Sequence, residues 1–223
     1  ESPMLGPSGG QEKSKLKAGV EGAQLVMRSR YLAAIVGIMA FYEMASQVMD
    51  YQFSSFMEML SGVTATQAFV TDVRLYANVL SVVVQFFLVS LIMKRLGLVV
   101  ALLVLPVAIL GSSGAFLVVP TLTAASLLAI SDNGLNYSIQ QTARESLYVV
   151  STPEEKYKAR AFTNMFVQRL AKGLSILLVL GLGAMRAEVA SLSLITITVA
   201  VLMALFSIYA GRRFARQSRL EKS

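Results

Sequence analysis

Charged and amide side chains recur inside apolar stretches of this chain at intervals that place them on one face of a helix. The clearest set follows intervals of four, three, four and four: Glu43, Gln47, Asp50, Ser54 and Glu58. Similar sets are Arg74, Asn78, Ser81 and Gln85; Asn133, Tyr137, Gln140, Arg144 and Tyr148; and Asn164, Gln168, Lys172 and Ser175. Because a helix has 3.6 residues per turn, each set lies along one stripe. Four such stripes predict an aqueous cavity shared by four helices.

The cations of these stripes predict that the cavity binds an anion. Arginine presents a planar fork of donors that suits phosphate or carboxylate oxygens, and lysine presents a compact charge. We therefore predict a binding set that comprises Arg144, Arg169, Lys172, Asn136, Tyr137, Gln140 and Gln168, with Arg169 about a quarter-turn aside from the stripe. The predicted counter-charges are Glu43, Asp50, Asp132 and Glu145. The alternative for the neutral residues is that they only hydrogen-bond one helix to another.

Counting helical rise from the turn near Pro153 predicts how deep each charge lies. With unbroken helices, Arg144 lies about 13 Å along and Arg169 about 24 Å, whereas Lys172 and Asp132 both lie about 30 Å along. This count predicts an ion pair between Lys172 and Asp132. It leaves Arg144 and Arg169 as an open cationic site.

The elements that must position these residues are six apolar stretches of helix length, near 31–60, 69–93, 97–119, 121–149, 161–185 and 189–210. About 20 apolar residues cross a hydrocarbon layer about 30 Å thick. The first, second, fourth and fifth stretches contain charges, whereas the third and sixth contain none and are expected to face lipid. This order, repeated twice, predicts an all-α membrane protein with six transmembrane helices in two inverted three-helix repeats, one half of a major-facilitator-type bundle.

Composition and charge distribution agree with a membrane protein. Of 223 residues 55% are hydrophobic and only 15% are charged, so a soluble domain of this size is not expected. The net charge of +7 reflects basic residues in alternate loops, fifteen on one side and only Arg74 and Arg186 on the other. By the positive-inside rule this predicts an inner-membrane protein with both termini in the cytoplasm, and it argues against nucleic acid as a partner.

The chain contains no cysteine and no histidine. Disulfides, thiolate chemistry, imidazole metal sites and a histidine proton relay are therefore excluded, and we predict neither a metal nor a cofactor. No nucleophile and base stand together at a recognisable spacing, so we do not expect an enzyme. Any coupling to protons would have to use carboxylates.

The segments outside the six stretches form two further regions. Residues 1–30 are predicted to be a cytoplasmic linker with an amphipathic interfacial helix, whose apolar stripe comprises Leu16, Val20, Ala23 and Met27. Residues 31–210 form the six-helix domain, and residues 211–223 form a basic cytoplasmic tail. We expect the chain to pair with an N-terminal six-helix half or with a second copy, since six helices enclose one side of a carrier cavity.

The polar motifs carry a family resemblance. Residues 136–148, Asn-Tyr-Ser-Ile-Gln-Gln-Thr-Ala-Arg-Glu-Ser-Leu-Tyr, resemble the tenth-helix motif of the non-mitochondrial ATP/ADP translocases of intracellular bacteria and plastids. Residues 156–162 and 168–173 resemble the loop and eleventh helix of that family, and residues 50–53 resemble a segment of its seventh helix. The resemblance implies the C-terminal half of a twelve-helix nucleotide carrier, or of a bacterial major-facilitator-like relative.

The sequence departs from the family pattern at Ser54, where the translocases usually have lysine, and at Gln141, where they have aspartate. Loss of a cation weakens the case for a triphosphate substrate. Our leading hypothesis is alternating-access transport of a nucleotide, by ATP/ADP-type exchange, or of a similar organic anion. The alternatives are a proton- or sodium-coupled carrier in which Asp50 or Asp132 titrates, and a membrane regulatory or scaffold module that transports nothing.

Overall fold

The computed structural model describes the backbone of residues 9–84, 87, 89–150, 152–184 and 188–220, and the side chains of 9–18, 60–68, 89–90, 137–138, 150, 184 and 218–220 lie outside the description. This part of the chain is helical and contains no strand. Its α-helices are α1 (Gly9–Arg28), α2 (Arg30–Val83), α3 (Val89–Arg95), α4 (Gly97–Val118), α5 (Leu122–Leu135), α6 (Gln141–Leu147), α7 (Pro153–Phe162), α8 (Gln168–Ala184) and α9 (Ser193–Leu220). The all-α class is thus confirmed for the described residues.

Hydroxyl side chains begin three of these helices. Ser29, Thr121 and Thr152 each accept a hydrogen bond from the backbone N–H three residues on, which satisfies one of the free donors at a helix start. At Thr152 the cap is reciprocal, because the carboxylate of Glu155 accepts from the Thr152 N–H at 3.0 Å. Pro153 follows at the first helical position, where no N–H is needed.

Helix α2 is 54 residues long and cannot be straight. The Ser46 hydroxyl donates to a carboxylate oxygen of Asp132 at 2.8 Å. Two residues further along α5, Gly134 lies against Ala77, whose carbonyl oxygen would be 3.4 Å from a Cβ at Gly134. In a straight helix Ser46 and Ala77 would be about 46 Å apart. Helix α2 therefore reverses direction between them.

The two ends of α2 confirm this reversal. The Tyr31 hydroxyl, near the start of α2, donates to the carbonyl of Leu147 at 2.7 Å. Val84, which follows the last residue of α2, packs against Ile139. A straight helix would place Tyr31 and Val84 about 80 Å apart, yet their partners are only eight residues apart. The two limbs of α2 therefore lie side by side, with both ends near α6.

The predicted break between the stretches 31–60 and 69–93 is wrong as a helix boundary. Residues 61–68, Ser-Gly-Val-Thr-Ala-Thr-Gln-Ala, remain helical in the structure. A single glycine and no proline occur there, so no residue removes a backbone donor or forces the helix to end. The sequence pattern indicated two limbs, but it did not indicate that one bent helix forms both.

Within the described residues four helical stretches are long and apolar enough to cross a membrane: Arg30–Met59, Gly97–Val118, Pro153–Gly183 and Val189–Gln217. They overlap the first, third, fifth and sixth of the predicted spans. The predicted spans 69–93 and 121–149 are not among them. Residues 85, 86 and 88 of the former lie outside the description, and the latter carries Asp132, Arg144 and Glu145, which lower its apolar character.

The uncharged helix α4 packs between α5 and α9. Its residues Leu102, Leu105 and Ile109 are fully buried in the main apolar core. Near the start of α4, Gly211 of α9 lies against Val99, where an added Cβ would be 2.8 Å from the valine Cγ2. The missing side chain lets the two helices approach closely.

Helix α1 packs on α7 through a face that the apolar pattern did not indicate. A Cβ at Gly22 would lie 2.2 Å from the carbonyl oxygen of Lys158, so only glycine fits against that backbone. Val26 is buried, whereas Val20 and Met27 of the predicted apolar stripe are 55% and 86% exposed. Val20 and Met27 of the predicted stripe therefore lie on the free face of α1, whereas Ala23 is half-buried and the side chain of Leu16 lies outside the description. The place of the stripe on a membrane surface stays a prediction. Residues 1–8 of the linker lie outside the described part.

Candidate functional site

A cavity of about 460 Å³ lies between the first limb of α2, the segment from α5 to α6, and the segment from α7 to α8. Every residue that lines it except Met39 carries a polar group. The lining residues are Met39, Tyr42, Glu43, Ser46, Gln47, Asp50, Asp132, Asn133, Asn136, Gln141, Arg144, Glu145, Arg160, Asn164, Gln168 and Lys172. The predicted stripes of three helical segments thus converge on one cavity.

The α2 stripe enters this cavity only in part. Glu43, Gln47 and Asp50 line it, as their spacing predicts. Ser54 lies one turn further on and lines a neighbouring, more apolar cavity of about 350 Å³ between α2 and α8, which also includes Gln47 and Asp50. Glu58 is exposed and lines neither. The first three residues of the stripe therefore face the site, and Ser54 and Glu58 do not.

Helix α8 supplies Lys172, whose ammonium lies 3.4 Å from a carboxylate oxygen of Glu43. Asp132 instead accepts the hydrogen bond from Ser46, so the predicted pairing of Lys172 with Asp132 is wrong. The depth count assumed unbroken α-helices, but π-helical turns occur at Asn136–Gln140 and Thr163–Val167. Each π-helical turn contains an extra residue, which shifts the depth and facing of all residues beyond it.

Arg144 is buried, with 9% of its surface exposed. Its Nη2 donates to the amide oxygen of Asn136 at 3.2 Å, and its guanidinium carbon lies 5.6 Å from the ring centroid of Tyr42. Within the described residues its Nε has no hydrogen-bond partner, and no carboxylate oxygen lies within 4.0 Å of the guanidinium. A buried cation held by an amide and a ring retains donors for an incoming anion.

The π-helical turn at Asn136–Gln140 explains how Asn136 and Arg144 meet. Eight residues of regular α-helix would place them about 80° apart around the axis. A π-helical turn contains more residues than an α-helical turn, so each of its residues rotates less around the axis. The rotation between Asn136 and Arg144 therefore falls by almost the 100° of one residue, and the two side chains share a face. The sequence pattern did not reveal this turn.

Arg160 is a lining residue that the sequence analysis missed, because it was counted only as a cytoplasmic loop charge. In the structure it forms an ion pair with Glu145, and its guanidinium carbon lies 5.3 Å from the ring centroid of Tyr148. A signal was present, since Arg160 precedes the stripe of Asn164, Gln168 and Lys172 by one more interval of four. The sequence analysis also missed the lining residues Tyr42 and Ser46, because neither side chain is charged.

Two predicted binding residues lie away from the cavity, and a third cannot be placed. Arg169 is exposed and does not line the cavity, because it follows Gln168 by 100° around the helix. The predicted open site of Arg144 with Arg169 is therefore wrong. Gln140 is fully buried and does not line the cavity, and within the described residues its side-chain amide has no hydrogen-bond partner. The side chain of Tyr137 lies outside the described part.

The lining therefore combines three cations with four carboxyl groups: Arg144, Arg160 and Lys172 with Glu43, Asp50, Asp132 and Glu145. No group of three or more acidic residues that could hold a metal ion occurs in the ranges that the structure covers. The arrangement can bind a polar, charged solute through donors and acceptors that are already in place. It contains cations for an anionic group and carboxylates for donors elsewhere on the solute.

Comparisons with known proteins give no match to a protein-family model, to a curated protein or to a solved structure.

Proposed function

We propose that this chain is one half of an alternating-access membrane carrier, and that the cavity between α2, α5–α6 and α7–α8 binds a nucleotide or a similar organic anion. The observation that carries this proposal is a cavity with a polar lining inside a molecule whose other long helices are apolar. Buried charges in a membrane protein are costly and occur mainly where they face a solute path or a partner.

The proposed architecture has six membrane-crossing limbs. The reversal within α2 supports two limbs in place of one, and the segment from α5 to α6 lies between α2 and α4 as a further limb. Exposed apolar residues on α4 and α9, such as Val107, Leu194 and Leu205, support a peripheral, lipid-facing place for these helices. This arrangement is the one expected for two three-helix repeats with a polar centre.

Arg144 is the proposed primary contact of the anion. Its guanidinium is buried and has no carboxylate partner within the described residues, so binding an anion there breaks no ion pair. Lys172 is held by Glu43 at 3.4 Å, and an anion that recruits it must compete with that carboxylate. The two cations therefore differ in role, Arg144 as the fixed site and Lys172 as a group that an anion can release.

The balance of charges limits the class of anion. With four carboxyl groups and three cations around the cavity, a triphosphate would add negative charge to a site that is already near neutral. A nucleoside monophosphate, inorganic phosphate or another anion of one or two charges fits this balance better than ATP.

The same balance supports exchange. When the cavity is empty, two of its three cations are held by carboxylates on other helices, Lys172 by Glu43 and Arg160 by Glu145. These pairs join α2 to α8 and α6 to α7, so they favour one arrangement of the helices. A bound anion that takes over the cations changes the relative stability of the two access states.

Binding of labelled AMP, ADP, ATP and inorganic phosphate to the purified chain in lipid nanodiscs tests the proposal. We expect saturable binding that is strongest for the less charged anions and is reduced at least about tenfold in Arg144→Gln, because a buried charge-assisted contact is removed. Arg95→Gln, a substitution of an exposed arginine outside the cavity, is the matched control. Equal binding by the parent and Arg144→Gln would reject Arg144 as the anion contact.

Proton-coupled transport is a second candidate, and Asp132 favours it. Asp132 is 2% exposed, one of its oxygens accepts from Ser46, and its Oδ1 has no partner within the described residues. No cation lies within 4.0 Å of it in the same part of the chain. A buried carboxyl group without a cation is suited to carry a proton.

Uptake into proteoliposomes separates the two candidates. Proton coupling predicts that an imposed proton gradient drives accumulation and that Asp132→Asn abolishes this dependence. Exchange predicts uptake that depends on unlabelled anion inside and is unaffected by the gradient. Absence of both binding and uptake, with both halves of a carrier present, would instead favour the regulatory or scaffold module. The proposed location is an inner membrane with both termini in the cytoplasm, from the distribution of basic loop residues.

A further inference from the structure

A second cavity lies where the start of α4 meets the end of α9. Its volume is about 740 Å³. It is lined by Val99, Leu205, Ile208, Tyr209, Arg212, Arg213, Ala215, Arg216 and Gln217. We call this site the α4–α9 groove. Its lining divides into an apolar part and a cluster of three arginines.

The apolar part and the arginine cluster follow one another along α9. Leu205 and Ile208 come first, and Arg212 and Arg216 follow at intervals of four, so these side chains lie along a single face of the helix. The opposite wall is Val99 of α4, which touches the backbone of α9 at Gly211. The groove thus changes from apolar to cationic within about two helical turns.

The cationic end lies at the level expected for phospholipid headgroups. Arg212 follows Ser193, the first residue of α9, by 19 residues, a rise of about 29 Å. This rise matches the thickness of the hydrocarbon layer, about 30 Å. If α9 crosses a membrane, as its length and composition allow, the guanidinium groups lie where phosphate groups lie and Leu205 lies among acyl chains.

The arginines of the groove have no acidic partner in the described part of the chain. No carboxylate oxygen lies within 4.0 Å of Arg212, Arg213 or Arg216, and the groove lining contains no acidic residue. Arg213 donates to the Tyr209 hydroxyl at 3.2 Å, a neutral partner. Three cations in a row beside an apolar groove are complementary to an anion that carries a hydrocarbon chain.

We propose that the α4–α9 groove binds an anionic phospholipid, with its phosphate on Arg212, Arg213 and Arg216 and an acyl chain along Val99, Leu205 and Ile208. Basic pockets between membrane helices near the cytoplasmic side are suited to anionic headgroups. The lipid holds the start of α4 and the end of α9 together. The site is independent of the anion proposed for the polar cavity.

Native mass spectrometry of the full chain, with stepwise addition of phosphatidylglycerol or phosphatidylcholine, tests this site. We expect discrete phosphatidylglycerol adducts and few phosphatidylcholine adducts on the parent chain. The triple variant R212Q/R213Q/R216Q should lose phosphatidylglycerol affinity about tenfold or more, since each cation near the surface contributes to attraction of anionic lipid. The control R28Q/R30Q/K94Q removes three exposed cations elsewhere and should change affinity less than about twofold.

Equal losses in the two triple variants would overturn the proposal, because they would show attraction to overall positive charge. A second variant, L205W, keeps the test valid if the triple variant misfolds. It fills the apolar part of the groove and keeps every charge. It should lower phosphatidylglycerol affinity severalfold. Unchanged affinity in L205W would also count against the groove. Inorganic phosphate at millimolar concentration should not displace the lipid, and displacement would identify a site for free phosphate instead.

Discussion

The polar cavity and the α4–α9 groove use the same cationic residue types in opposite settings. In the cavity the cations are held by other side chains: Arg144 by Asn136 and Tyr42, and Lys172 by Glu43. In the groove three arginines stand beside apolar side chains, without a carboxylate among the lining residues. A cation that is already held can discriminate among solutes, since a ligand must match fixed geometry. A cluster of exposed cations beside an apolar groove favours an anion that carries a hydrocarbon chain.

The two regions also differ in the interactions that hold their helices together. Around the cavity, hydrogen bonds and ion pairs join α2 to α5 and α8. Around the groove, the helices α4 and α9 meet through close apolar contact, with Gly211 against Val99. We therefore expect substitutions in the first region to alter ligand binding most, and substitutions in the second to alter stability or lipid binding most.

The largest difference is expected for charge reversal. Arg144→Glu should lower anion binding in the cavity at least about a hundredfold, equivalent to about 2.7 kcal/mol, because it replaces the buried donor with a fifth carboxylate. Arg212→Glu makes the same change in the groove and should leave binding of AMP and phosphate within about twofold of the parent. Equilibrium binding in nanodiscs measures both. Similar losses in the two variants would mean that overall charge, and not the cavity, controls binding.

A smaller effect is expected for a larger side chain at the close contact between α4 and α9. Gly211→Leu introduces a side chain whose Cβ would lie 2.8 Å from Val99 Cγ2 and 3.2 Å from its Cα, so one helix must shift. We expect a loss of about 1–3 kcal/mol in stability, seen as a lower midpoint in thermal unfolding in detergent. Gly173→Leu on α8 is the control, because a Cβ added at Gly173 would have no atom within 4 Å beyond its chain neighbours and the local helix backbone. Equal midpoints for the two variants would contradict the close approach.

Release of Lys172 should strengthen anion binding. Glu43→Gln removes the carboxylate that holds the lysine at 3.4 Å and changes the cavity charge by one unit. We expect affinity for AMP or phosphate to rise by about threefold to tenfold, or about 0.7–1.4 kcal/mol. Glu154→Gln, at an exposed ion pair with Lys158, is the control. A weaker affinity in Glu43→Gln would indicate that Glu43 contacts the solute directly.

The polar contact between α4 and α9 should contribute modestly. The Thr196 hydroxyl, buried between the helices, donates to Ser113 at 2.9 Å. Interhelical hydrogen bonds of this kind contribute about 0.6 kcal/mol on average, so Thr196→Val should lower stability by about that amount. Thr198→Val, at an exposed position on the same helix, should change it less. Chemical denaturation in mixed micelles resolves the difference, and a greater loss in Thr198→Val would reverse the assignment.

The smallest effect is expected at Arg169. The structure places this arginine outside the cavity lining and exposed, so Arg169→Gln should leave anion binding within about twofold of the parent. Competition between labelled and unlabelled phosphate measures it. A loss as large as that in Arg144→Gln would restore the site that the sequence pattern predicted and would contradict the facing of α8.

Most of the cavity lining could be predicted from side-chain spacing, whereas the ion pair across the helices could not. Glu43, Gln47, Asp50, Arg144 and Lys172 line the cavity because they follow helical periodicity. The pairing of Lys172 failed because π-helical turns changed depth and facing, and no residue type marks such a turn in the sequence. Partners across helices depend on shifts of a few ångströms, and counting residues does not determine these.

The packing face of α1 is another feature that side-chain spacing did not predict. Apolar periodicity predicted a membrane-facing stripe through Val20 and Met27, and it gave no sign that Gly19 and Gly22 form the buried face. Small residues allow backbones to approach, but glycine has no hydrophobic side chain to reveal which face packs. Glycines indicate the packing face of a helix only when the surface opposite them is known.

The sequence by itself determined the helical class, the long apolar stretches and the polar stripes, because these follow from local periodicity and from the cost of charge in an apolar environment. Only the tertiary structure decided that α2 doubles back as one helix, that Lys172 pairs with Glu43, that Arg160 joins the cavity while Arg169 does not, and that three arginines of α9 border a groove against α4. These features depend on which surfaces meet, and residues distant in the chain meet only when the helices pack.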